Sequence, residues 1–444
     1  MRRSLVLAGG GMRVAWQTGV VRALREHGLA FDHVDGTSGG IMTTGMLLSG
    51  QEPQEMGRRW SGLDVRKFSS ALPLTDYLTG PWALPALGDA DGILRGVLPG
   101  LGVDPEAVRS SPVAGTFNVC DFVTKTCVAV PHTEIDAELM TAGMSLPLFL
   151  PPLRRGGHVW TDAVWIKDAN VSEALRRGAD EVWLVWCIGN TPYWGDGPLE
   201  QYVHMIEMSA NGALFAELEA ARRPFVLHVV RPRHALPLDP EFLSGRISAD
   251  TLVAMGYRDA WSYLDTAHAA GVPKDPSCTA MADQPRGVRF RERLRGEASG
   301  AALALDVTVE LPLPPDGTPS PGARLVGHVD HEPWGGRVLL ADGRVTTDGT
   351  AVEYTARVRL DGAWRELRAR RDLGDAPGPD LWSDSRTVHF SVGGAVTARL
   401  ELGLADAARA LASVEPTGAH GFRSRAEALT ELAGTGLRRA LARD

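Results

Sequence analysis

Cysteine is scarce. The chain has four in 444 residues, Cys120, Cys127, Cys187 and Cys278, and no short-spaced pair among them reads as a zinc site or a redox motif. Reduced thiols in a cytoplasmic protein are the simplest reading. Positive charge is in deficit, 46 Lys and Arg against 54 Asp and Glu, for a formal charge of −8. That balance argues against a nucleic-acid binder, because neutralising phosphates needs a basic surface. It also gives no general attraction to anionic lipid, so only a local patch could provide one. No stretch reaches the roughly 18 apolar residues of a membrane helix. The apolar run at residues 5–8 is too short for a signal peptide and runs into glycines. Glycine (50) and proline (29) are too few for a low-complexity chain. No acidic loop has calcium-binding spacing, and no fixed-period repeat stands out.

What is present is a globular composition, 44% hydrophobic and 23% charged, on a chain long enough for two or three domains. Residues 1–280 alternate strand-like and helix-like pieces. Strands are expected at 4–8, 31–35, 181–186 and 226–230. Helices are expected at 16–27, with Val20, Val21 and Leu24 on one face and Gly28 as a stop, and at 41–48 and 171–177. This alternation predicts a layered α/β domain with a mostly parallel sheet. From 285 to 444 the texture changes to period-2 runs and tight turns. Asp342-Gly343 and Asp361-Gly362 each read as a hairpin turn, since Asp-Gly accepts the positive φ of type I′. Residues 312–321 read as a loop and 423–443 return to helical spacing. The prediction is a second, β-rich domain with a helical tail.

Gly36-Thr37-Ser38-Gly39-Gly40 fits G-x-S-x-G between an expected strand and an expected helix. Such an elbow lifts the serine hydroxyl off the sheet and points a helix N-terminus at it. The bland alternative is an exposed turn serine. Gly9-Gly10-Gly11-Met12-Arg13 follows the first strand, and consecutive glycines can aim backbone N–H groups into an anion nest. Dinucleotide binding and an oxyanion hole compete for that nest. The dinucleotide fingerprint fails at its third glycine, where Val14 stands, although Asp32 or Asp35 could serve as its ribose acid. A second glycine turn carrying a serine on the neighbouring strand is better explained by acyl chemistry. A serine also needs a base. Asp162 follows a short apolar strand, and read alone it is a turn or capping aspartate. None of the twelve histidines has so pointed a context: His158 lies on a strand, and nothing singles out His132 or His204.

These motifs, with residues 141–152 before the aspartate and Asn170, Ala174 and Gly178-Ala179-Asp180 after it, occur in the order seen in patatin-like phospholipases. The resemblance spans about residues 4–265. It implies a three-layer α/β domain around a mostly parallel central sheet. It further implies a Ser–Asp dyad, in which Ser38 attacks an acyl ester and Asp162 takes its proton, with an acyl-enzyme that water resolves. Gly9, Gly10, Gly11, Arg13 and Gly39 would form the oxyanion hole. No cofactor or metal is implied. The substrate would be a phospholipid or lysophospholipid ester met at a membrane or micelle surface. An acyltransferase using the same dyad, or a catalytically silent lipid-binding protein, are the alternatives. Two departures stand out: Val14, and Asp162-Ala163-Val164, both where the family usually has glycine. Val14 is expected to narrow the site. Ala163 is expected to be strained if that position needs positive φ.

Trp160, Trp165, Trp183, Trp186 and Trp194 cluster in sequence near the aspartate; Trp183 and Trp186 read as core, the others as core, acyl-pocket lining or residues at a membrane interface. Residues 71–103, rich in leucine among proline and glycine, read as an apolar lid or as a surface-packed excursion. Residues 288–296 and 381–387 resemble a β-rich accessory region found with cholesterol-oxidase-like flavoenzymes and some patatin-like proteins; such a domain is expected to present or bind lipid, or else to be a scaffold that covers the catalytic domain.

Overall fold

The computed structural model describes residues 1–68, 70–78, 80, 84–239, 243, 245–313, 322–348, 350–372, 386–394, 396–418 and 430. The chain divides into two compact units, Met1–Ala282 and Asp283–Asp444.

The first unit is built on a mixed sheet. Its strands are β1 (Arg3–Leu7), β2 (His33–Thr37), β3 (Ala114–Asp121), β4 (Thr126–Pro131), β5 (Leu153–Arg155), β6 (His158–Asp162), β7 (Glu181–Val185) and β8 (Val226–Val230). Five of them run parallel in the order β3-β2-β1-β7-β8, and β4, β5 and β6 add antiparallel pairings beyond β3. Parallel strands are covered on both faces, which is why β1 and β7 read as unbroken apolar runs instead of alternating. Leu5, Val6, Leu7, Val182, Leu184 and Val185 are all buried. The chain leaves β1 toward β2 on one side, while β7 pairs on the other. The carboxyl end of β1 is therefore a point where the winding reverses, the usual place for a ligand crevice.

Four helices carry or brace the turns at that end of the sheet: α1 (Ala15–Glu26), α2 (Gly40–Leu48), α3 (Pro198–Ala220) and α4 (Ala249–Leu264). α1 ends where Gly28 turns to φ 90°. The second strand begins and ends two residues later than its apolar pattern suggested, so the Gly36 turn is folded into β2 itself. No described helix is long and apolar enough to cross a membrane.

The second unit is a ring of antiparallel strands: β9 (Gly287–Ala298), β10 (Ala301–Pro312), β11 (Ala323–His331), β12 (Gly336–Thr347), β13 (Ala351–Leu360), β14 (Ala363–Asp372), β15 (Thr387–Val392) and β16 (Val396–Glu401). Each pairs with the next, and β9 closes the circle by pairing with both β10 and β16. Closure leaves no free edge among these eight strands, and β17 (Glu415–Thr417) adds onto β9. Alternate residues fill the interior: Val288, Phe290 and Leu294 on β9, then Leu303, Leu305 and Val307 on β10. Residues 288–296 are thus part of a barrel strand, whereas 381–385 and nearly all of the expected helical tail lie outside the described residues.

One expected hairpin is absent. Asp361 (φ 50°) and Gly362 (φ 75°) do form the tight turn between β13 and β14. Asp342-Gly343, however, sits inside the continuous strand β12. There Leu340 and Ala341 face Val358 and Arg357, and pairing resumes at Arg344 with Thr355. Two residues stand opposite one, a bulge. Asp342, at φ 51°, supplies the left-handed residue that a bulge needs as much as a turn does.

Candidate active site

Ser38 lies between β2 and α2 and takes φ 51°, a left-handed conformation uncommon for a residue with a Cβ. The turn is held by close packing: a Cβ on Gly40 would stand 2.2 Å from the Leu7 carbonyl oxygen. Ser38 and Asp162 are both buried, at 4% and 1% exposure. The Ser38 hydroxyl donates to Asp162 Oδ2 at 2.7 Å across 124 residues of sequence. The other carboxylate oxygen accepts the Val164 N–H at 2.9 Å, which fixes the plane of the group. Burial pushes the Asp162 carboxyl up to about 7, against the opposing pull of the Ser38 and Val164 hydrogen bonds.

None of the candidate histidines reaches this pair. His158 bonds Asp121 at 2.9 Å, His132 accepts from the Gly115 N–H, and His204 bonds Glu207. Asp35 is buried against Thr116 and Asn118, one residue before the elbow, and is not part of the cavity wall.

The two glycine turns meet back to back. A Cβ on Gly39 would come within 2.5 Å of the Gly11 carbonyl oxygen. Gly10, Gly11, Arg13 and Gly39 line one cavity of about 310 Å³ with Ser38. Gly9 does not contribute a free donor, because its N–H already bonds Asp168 Oδ1 at 2.8 Å. Arg13 folds back so that its Nε–H donates to the Gly10 carbonyl at 3.0 Å, bracing the turn. Gly10, Gly11 and Gly39 remain in the cavity wall with Ser38, and Gly39 caps the N-terminus of α2. Val14 is fully buried behind the nest, with its Cγ1 2.7 Å from where a Gly39 Cβ would be, and it does not line the cavity. Ala163 is buried and does not take positive φ, so the methyl that replaces the usual hydrogen carries no backbone strain.

Two carboxylates escaped the reading of the sequence. Asp168 is fully buried. Its Oδ1 holds the Gly9 N–H, and its Oδ2 has no partner among the described residues. Burial raises it to about 8, reinforced by the nearby Asp162 charge. Asp239 accepts the Met12 N–H at 3.1 Å and borders the same cavity; enclosure raises its pKa while Arg13 opposes the rise. The remaining wall is mostly apolar, including Met42, Phe68, Leu87, Ile93, Phe149 and Ile206. None of the described tryptophans is in it. Trp183 and Trp186 are core residues, and Trp194 is 55% exposed. The leucine-rich segment is split: Leu87 and Ile93 reach the cavity, whereas Leu98 and Leu101 are buried in the body of the unit.

Residues 5–175 match the patatin-like phospholipase family. The chain carries a patatin-like phospholipase domain. The same part is similar to lysophospholipase NTE1 of Lodderomyces elongisporus, 26% identical over 189 residues, covering 41% of this chain and 12% of that protein. Its counterpart in Scheffersomyces stipitis is 26% identical over 182 residues, covering 39% of this chain and 11% of that protein. The chain thus spans about an eighth or less of the curated relatives it matches. Among solved structures, VipD of Legionella pneumophila aligns over 60% of this chain and 67% of that one, at 13% identity and TM-score 0.37, too distant to carry an argument.

Proposed function

We propose that the first unit is a serine acyl hydrolase that cleaves lipid carboxyl esters of the phospholipid or lysophospholipid class. The carrying observation is the 2.7 Å bond from the Ser38 hydroxyl to a buried carboxylate at the end of a largely apolar cavity. Ser38 Oγ bonds to the ester carbonyl carbon as its proton passes to Asp162 Oδ2. The carbonyl oxygen, now negative, is held by the amides of Gly10, Gly11 and Gly39. Collapse breaks the bond to the leaving alcohol, which takes the proton from Asp162. Water then repeats the sequence on the acyl-serine and releases a fatty acid. The apolar wall suits an acyl chain, and the volume falls at the lower end of ordinary ligand pockets. The matched family and the NTE1 relatives support the same substrate class.

The test is direct. A fluorophosphonate should label the folded protein at Ser38, and lysophospholipid should yield free fatty acid by mass. An added alcohol that captures the acyl group instead would make the protein a transferase. Failure to label Ser38 would leave a silent lipid-binding protein.

The pH profile should report both buried acids. Asp162 accepts a proton only when ionised, so kcat should rise with pH through about 7. Asp168, near 8, must stay neutral to avoid placing a second charge beside Asp162, so the rate should fall as it ionises. Asp168→Asn keeps an acceptor for the Gly9 N–H and cannot ionise. Its profile should keep the rise near 7 and lose the alkaline decline; an unchanged decline would exclude Asp168 as its source.

A further inference from the structure

The cavity that holds Ser38 opens among large apolar side chains left in solvent. Leu148 is 57% exposed, Leu87 53%, Leu74 82%, Leu78 86% and Trp194 55%. Hydrogen bonds tie the first four together. The Leu87 N–H donates to the Leu148 carbonyl at 2.8 Å and the Gly88 N–H to the Phe149 carbonyl at 3.0 Å. The Tyr77 hydroxyl, on the short helix Leu74–Tyr77, donates to the Leu87 carbonyl at 2.9 Å. Leu87 and Phe149 also line the cavity, so the patch is continuous with its wall. Trp194 stacks on His204, next to the cavity-lining Val203.

Two further features set this patch apart from incidental surface leucines. Leu148 takes φ 79°, a conformation that a branched apolar residue adopts only under constraint, and does so with its side chain in water. The loop around it, Leu146-Pro147-Leu148-Phe149-Leu150, has no charged or hydrogen-bonding side chain. Most of its backbone polar groups are nonetheless bonded within the protein. The Pro147 carbonyl accepts the Tyr202 hydroxyl at 2.7 Å, the next two carbonyls accept the Leu87 and Gly88 amides, and the Phe149 and Leu150 amides donate to the Leu146 carbonyl. A loop that presents apolar side chains and conceals the carbonyls of residues 146–149 can enter hydrocarbon with few unpaired polar groups. A polar protein surface would not require that concealment.

From this geometry we infer that the Leu74–Leu78, Leu87 and Leu148 rim is a docking surface for a lipid surface of low net charge. It seats the cavity mouth on the membrane so that an acyl ester moves from the bilayer to Ser38 without crossing water. The inference rests on the proposed hydrolase reading. The rim segments 71–78 and 146–150 together carry one charge, Asp76, and the chain is acidic overall, so apolar insertion and not attraction to anionic headgroups supplies the binding.

The experiment is sedimentation of the full chain with phosphatidylcholine vesicles, alongside hydrolysis of monomeric p-nitrophenyl butyrate. Wild-type protein should partition to the vesicles, and Leu148→Asn and Leu78→Asn should each lower that partition by about tenfold, in line with the loss of one inserted leucine. Hydrolysis of the monomeric ester should be unchanged in both. Asparagine tolerates positive φ better than leucine, so Leu148→Asn should also raise Tm, which a purely structural role for Leu148 would not permit. Wild-type protein that ignores the vesicles, or variants that sediment as wild type does, would overturn the inference. So would a dimer that both substitutions dissolve in the absence of vesicle binding, since a second copy would then cover the rim. Vesicle binding without any ester hydrolysis would instead reject the hydrolase reading and leave the docking surface standing.

Discussion

Ser38→Ala should lower ester hydrolysis by on the order of 10⁴ or more, because Ser38 carries the hydroxyl that bonds the buried Asp162 carboxylate. Asp162→Asn should cost nearly as much. The amide still accepts a hydrogen bond from Ser38, but it cannot take the proton. The two side chains act as one unit, so the double variant should be little worse than either single one. Fold integrity must be read separately, by thermal melting. Serine and alanine carry the same Cβ into φ 51°, so Ser38→Ala should melt close to wild type. Ser38→Gly should be equally inactive and more stable, by about 1 kcal/mol, because glycine takes that conformation without a penalty. Inactivity with a raised melting point would show that the elbow stores strain for chemistry. Lipid hydrolysis by Ser38→Ala at the wild-type rate would dismiss the dyad.

The elbow and the glycine nest were legible in the sequence because both are local. Ser38 stands between glycines that backbone packing demands, directly after an apolar strand, and Gly9 to Gly11 follow another. That the two turns meet follows from β1 and β2 being parallel neighbours. What stayed hidden acts across long sequence separations and through backbone atoms. Asp168 and Asp239 reach the nest from 159 and 227 residues away, and their partners are amides, which every residue has. Asp239 stands between Pro237 and Pro240 in sequence, with no pattern around it. Asp168 had one faint signal, a second acid six residues after Asp162, beyond an apolar stretch too short to be a strand. The barrel was visible as strands but not as a ring, since closure depends on β9 finding β16 a hundred residues later. The Asp342-Gly343 bulge was misread for a related reason: a left-handed dipeptide serves a turn or a bulge, and only the partner strand decides between them. The effect of Val14 turned on which way one methyl points, and it points away from the cavity.

Gly256→Ala should be among the most damaging single methyls in the first unit outside the reacting groups. α1 and α4 cross with their backbones in contact. A Cβ on Gly256 would stand 1.9 Å from the Trp16 carbonyl oxygen, and one on Gly19 would stand 1.9 Å from the Val253 carbonyl oxygen. Neither obstacle is a side chain that can rotate aside, so one helix has to move. Around the crossing, Trp16 and Tyr257 are buried, Trp16 Nε1 donates to Asp259 at 2.9 Å, and the Tyr257 hydroxyl donates to Glu26 at 2.6 Å, so a shift breaks several contacts at once. In a helix, alanine is favoured over glycine by about 1 kcal/mol. Overpacking against a rigid backbone typically costs about 1–3 kcal/mol and occasionally more, and an immovable oxygen places this site at the upper end. The net loss should be about 2 kcal/mol or more, a large share of a stability of about 5–15 kcal/mol. Gly212→Ala, on the exposed face of α3 with nothing within 4 Å of the new methyl, isolates the propensity term and should stabilise by a few tenths to about 1 kcal/mol. Melting curves of the two variants should therefore move in opposite directions. Activity should follow only in the first, because α1 begins immediately after the turn at Gly11–Val14, and a helix displaced at Trp16 carries with it the glycine turn proposed to hold the oxyanion. A Gly256→Ala protein that melts and hydrolyses like wild type would mean that the two helices have slack that this crossing does not contain.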